Sequence, residues 1–61
     1  MIGSSAIVRS IFDEQGRGAV HTAGEIWNAT LAPGSPPPAD GDRVTIEARQ
    51  GYRLIVRKAS D

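Results

Sequence analysis

Five stretches of the chain alternate apolar and polar residues with the period of two that marks a β-strand. In "AIVRSIF", Ala6, Val8, Ser10 and Phe12 fall on one side, with Ile7, Arg9 and Ile11 on the other. "GAVHT" sets Gly18, Val20 and Thr22 against Ala19 and His21, and "EIWNATL" sets Trp27, Ala29 and Leu31 against Ile26, Asn28 and Thr30. The last two alternations are the cleanest. "RVTIEA" sends Val44, Ile46 and Ala48 inward and Arg43, Thr45 and Glu47 outward, and "YRLIVRK" sends Tyr52, Leu54 and Val56 inward and Arg53, Ile55 and Arg57 outward.

Short turns join most of these strands. Ala23-Gly24 separates the second from the third, and a connection around Gln50-Gly51 joins the fourth to the fifth, with glycine supplying the positive φ of tight hairpins. The one long connection, "APGSPPPADGD", holds all four prolines, so it cannot continue a hydrogen-bonded ladder. Residues 32–42 are expected to form an irregular, mobile loop without an α-helix of two turns. No segment has helical period. Five short strands in a chain too small for two sheets fit an all-β fold, a small five-stranded barrel of the OB or SH3-like class with no substantial helix. Residues 1–61 form one domain, with a flexible start at 1–5 and a tail at 58–61.

Length and composition narrow this further. A chain of 61 residues holds one core, and with no cysteine neither a disulfide nor a thiolate metal site supplements it. No apolar run approaches the roughly 20 residues of a membrane helix. Seven basic and seven acidic residues cancel, which removes the strongly basic signature of a nucleic-acid binder. The charge is unevenly spread, however. Arg43, Arg49, Arg53, Arg57 and Lys58 against Glu47 make the final hairpin basic, while residues 1–42 are net acidic.

The residues offer little catalytic chemistry. His21 is the only histidine, where a zinc site wants several nitrogen or sulfur ligands, and it is the only histidine base available to any serine. The Gly16-Arg17-Gly18 stretch lacks the third glycine of a dinucleotide fingerprint, and Asp40-Gly41-Asp42 lacks the further oxygens of a calcium loop. Both read as turns. No catalytic, metal or cofactor-binding residues are assigned, and no cofactor is expected.

From Gly16 to Lys58 the chain resembles the C-terminal soluble domain of NfeD-like membrane proteins. The matching positions are Gly18, Val20, Gly24, Glu25, Trp27, Ala29, Gly41, Val44, Gly51, Leu54 and Val56, with Ala6 standing where a glycine is common. The resemblance implies a five-stranded OB-type barrel carried behind transmembrane helices, at the cell membrane and on its cytoplasmic side. It also implies stomatin- or flotillin-like protein partners and a part in regulating membrane protease activity.

On this reading the chain is a non-enzymatic protein-interaction module. The residues that would contact a partner are the outward isoleucines Ile11, Ile26 and Ile55, if contiguous, and the basic Arg53, Arg57 and Lys58. The alternative is a small OB-type domain binding single-stranded nucleic acid through Arg53, Arg57 and Lys58. Trp27 bears on the choice. It shares a face with Ala29 and Leu31, the large-beside-small filling of a tapering barrel, so it is expected in the core beside Val20, Ala29, Ile46 and Leu54 rather than as a stacking platform.

Overall fold

The structure, a computed structural model, describes residues 2–10 and 12–59. Five strands form: β1 (Ser5–Ser10), β2 (Arg17–Thr22), β3 (Glu25–Leu31), β4 (Arg43–Gln50) and β5 (Arg53–Lys58). They close into a barrel in the order β1-β2-β3-β5-β4, all pairs antiparallel except β3 with β5. This is the expected all-β, OB-type arrangement. The alternation explains it: Ala6, Val8, Val20, Ala29, Val44, Ile46, Leu54 and Val56 pack inside, and β-branched residues suit a pleated, half-buried surface.

The barrel has two ends. The β2–β3 and β4–β5 turns and the start of β1 lie at one, which we call the hairpin end. The start of β2, residues 32–42 and the finish of β5 lie at the other. Phe12 closes this second end, 5% exposed. Its ring occupies the space a side chain at Gly18 would need, with a Cβ there only 2.6 Å from the ring, so the β2 backbone approaches Phe12 as only glycine allows.

Two bulges correct the faces read from strict alternation. In β1 the register shifts after Val8, so Ser10 pairs with Ala19 and is exposed rather than inward. In β4 the register shifts between Ile46 and Ala48. Ala48 then faces Ile55 on the outer side, and Arg49 comes opposite the buried Leu54. A bulge inserts one extra residue and reverses the side-chain parity beyond it.

The turns correct one more. Gln50 pairs with Arg53, so the two-residue turn is Gly51-Tyr52, with φ +63° at Gly51 as a type II′ turn requires. Tyr52, expected inward, stands in that turn 86% exposed. Residues 32–42 form no helix, but their ends are tied rather than loose. Ala32 N–H donates to the Val56 carbonyl (2.7 Å) and Gly41 N–H to the Val8 carbonyl (2.9 Å), Pro38 is buried, and Ser35 Oγ accepts from Lys58 N–H. At the start, Gly3 N–H donates to the Ile46 carbonyl and Ile46 N–H to that of Ser4.

Candidate functional site

Trp27 sits on the inner face of β3 at the hairpin end, opposite the buried Val20, and packs against the core while remaining partly exposed. It stoppers the mouth rather than filling the centre, which corrects the expectation of a wholly buried ring. The β4 bulge delivers Arg49 to the same mouth. Its guanidinium carbon lies 5.2 Å from the indole centroid, a cation–π contact, and its Nε donates to the Gly51 carbonyl (2.8 Å). The buried Trp27 Nε1–H has no acceptor among the described residues.

Around this pair lies a shallow depression of about 350 Å³ lined by Glu25, Ile26, Trp27, Asn28, Arg49 and Tyr52. A smaller one, lined by Asn28, Gln50, Tyr52 and Arg53, adjoins it through Asn28 and Tyr52. Ile26, 64% exposed, stands on its rim and continues an outer cross-strand row, Ile7–His21–Ile26, across β1, β2 and β3. Exposed aliphatic and aromatic surface beside arginine is the composition of a protein contact.

The residues expected from sequence to meet a partner divide. Ile26 lines the larger depression and Arg53 only the smaller one, its guanidinium turned along β3 toward Thr30. Ile55 is half-buried opposite Thr30 and Ala48 and does not continue the Ile26 surface, since Thr30 stands four residues, roughly 13 Å, along β3 from Ile26. Ile11 lies outside the described residues. Arg57 and Lys58 belong to the opposite end and already face carboxylates. Arg57 Nε pairs with Glu47 Oε2 (2.6 Å) and a further N–H reaches the Pro33 carbonyl, while Lys58 Nζ stands 3.9 Å from Asp42. Arg53 bonds only Thr30 Oγ1 (3.2 Å), and neither it nor Arg49 pairs with a carboxylate among the described residues. Tyr52 and Arg49 were missed from sequence. The two-residue length of the turn was the available signal for Tyr52; nothing short of the bulge reveals Arg49.

Among the described residues no three His, Cys, Asp or Glu side chains gather as a metal site, and no helix is long and apolar enough to cross a membrane. A small OB-type barrel with an aromatic and aliphatic rim beside arginines that meet no carboxylate among the described residues defines a binding module. The chain belongs to the NfeD family, whose NfeD-like C-terminal, partner-binding domain matches residues 1–58. Solved structures are similar as well. The C-terminal domain of stomatin operon partner protein 1510-C from Pyrococcus horikoshii superposes with a TM-score of 0.86 at 24% identity, covering 100% of this chain and 91% of that one, a likeness of fold. The soluble domain of a membrane protein implicated in regulation of membrane protease activity, from Corynebacterium glutamicum, gives 0.81 at 29% identity, covering 95% and 92%. No curated protein gives a match to the chain.

Proposed function

We propose that this chain is the partner-binding end of a membrane-anchored NfeD-like protein, that it catalyses no reaction itself, and that it engages a stomatin- or flotillin-like protein in the regulation of membrane protease activity. The family match over residues 1–58 carries this reading. Two of the similar structures support it, one from a stomatin operon partner protein and one from a membrane protein implicated in protease regulation. The exposed Ile26 and Tyr52 beside Arg49 give such a partner a surface to bind.

The test is co-purification. The full membrane protein is expressed with the stomatin-like protein encoded beside it, and capture of either is expected to bring down the other. Deleting residues 1–58 is expected to abolish capture, and retention without them would overturn the reading. Protease protection in sealed inverted vesicles tests the cytoplasmic side, where this domain is expected to be cleaved.

A further inference from the structure

β3 is paired along its whole length with β2, from Arg17–Thr30 to Thr22–Glu25, but with β5 only from Asn28 onward. Its first three residues therefore form a short free edge in an otherwise closed barrel. The two-residue hairpin makes Thr22 and Glu25 a hydrogen-bonded pair, and antiparallel ladders alternate, so Glu25, Trp27 and Ala29 turn their backbone groups toward β2. Leu31 N–H, donating to the Gly16 carbonyl, keeps the same parity. Ile26, Asn28 and Thr30 turn the other way. Asn28 and Thr30 meet β5 there, as Ala32 does through its bond to Val56, and Ile26 meets no strand.

Ile26 thus presents one N–H and one carbonyl to the depression lined by Trp27, Arg49 and Tyr52. A free strand edge is a template for another extended chain. The surrounding side chains state what that chain carries. Arg49 lacks a carboxylate partner among the described residues. Against its guanidinium the lining offers one carboxylate, Glu25. Tyr52 and Ile26 supply an apolar wall.

We infer that this edge receives an extended acidic segment of a partner protein. The segment pairs with the backbone of Ile26, lays an aliphatic side chain against Tyr52 and Ile26, and sets a carboxylate against Arg49. This deepens the partner-binding reading and rests on it.

The probe is a capped hexapeptide alternating valine with aspartate, titrated into the chain while following the emission of its single tryptophan and the exchange of the Ile26 amide. Binding is expected to shift the emission and slow that exchange. Replacing aspartate by lysine, N-methylating alternate peptide nitrogens, or introducing Arg49→Gln is each expected to weaken binding at least about tenfold, the scale of one charge-assisted hydrogen bond. No binding at millimolar peptide, equal binding of the lysine peptide, an Ile26 amide left unprotected at saturation, or an emission shift produced by phosphatidylglycerol vesicles but not by peptide would overturn it. Capture of the stomatin-like protein undiminished by Ile26→Asp with Arg49→Glu would overturn this site while leaving the partner reading standing.

Discussion

Gly18 and Phe12 act as one unit, because the aromatic ring fills the volume that any side chain at 18 would claim. Gly18→Ala is expected to cost about 1–3 kcal/mol of stability, the range for overpacking a core. In a Phe12→Ala background the same change should cost close to nothing, and thermal melts of the four proteins in this double-mutant cycle measure the difference. Trp27 obeys a gentler rule. Since part of the ring remains in solvent, Trp27→Ala is expected to lose about 2–3 kcal/mol, below the ~3–5 kcal/mol of a fully buried ring. A domain of this size has roughly 3–9 kcal/mol to lose. The variant should remain folded at room temperature and melt roughly 10–20 °C lower. That Trp27 lies on the inner face was legible from its alternation with Ala29 and Leu31. How deep it lies was not, because depth depends on which strand continues past it, and β5 begins only opposite Asn28.

Among the elements, the two connections flanking β2 have the most to reveal. Ala23 adopts φ +53° beside Gly24 at +77°, the pair of positive angles a type I′ turn demands, and alanine holds that angle at a cost of about 1 kcal/mol. Ala23→Gly or Ala23→Asn is expected to raise the melting temperature by roughly 4–8 °C. In the connection from β1 to β2, Asp13 Oδ1 accepts from the backbone N–H groups of Arg17 (3.0 Å) and Gln15 (2.9 Å). The Arg17 N–H lowers the carboxyl most, desolvation opposes it, and the N–H of Gln15 with the charge of Arg17 helps hold it below its ordinary 3.8. A depressed folded value means stability that is complete above the unfolded value and lost as pH falls through the folded one. Melting temperature is therefore expected to drop below about pH 4, and less steeply in Asp13→Asn, as calorimetry from about pH 5 to pH 2 can show. The strands themselves were legible because their alternation is long. The bulges were not: Glu47-Ala48-Arg49 continues the β4 alternation in sequence, and only pairing with β5 decides where an extra residue is absorbed.

At the scale of the whole molecule, the proline-rich connection lies across the second end of the barrel. Its composition ruled out a helix, but composition is silent on the carbonyls of Val56 and Val8, which other strands supply. The amides of Ala32 and Gly41 are expected to exchange slowly and those of Gly34 and Asp40 faster, a contrast that hydrogen-exchange spectroscopy resolves. The barrel class was legible in the number and shortness of the strands. Half of the candidate site was not, since it is assembled from a turn, a bulge and a strand end that come together only on closure. The order of that closure has a mechanical consequence. β1 and β5 both run antiparallel to β4, and Ser5 meets Thr45 where Lys58 meets the neighbouring Val44. The first strand thus begins, and the last finishes, on either side of one point of β4. Tension applied through Ser5 and Lys58 pulls across β4 rather than along it and opens the two ladders bond by bond from that point, so the barrel yields to such a pull by peeling.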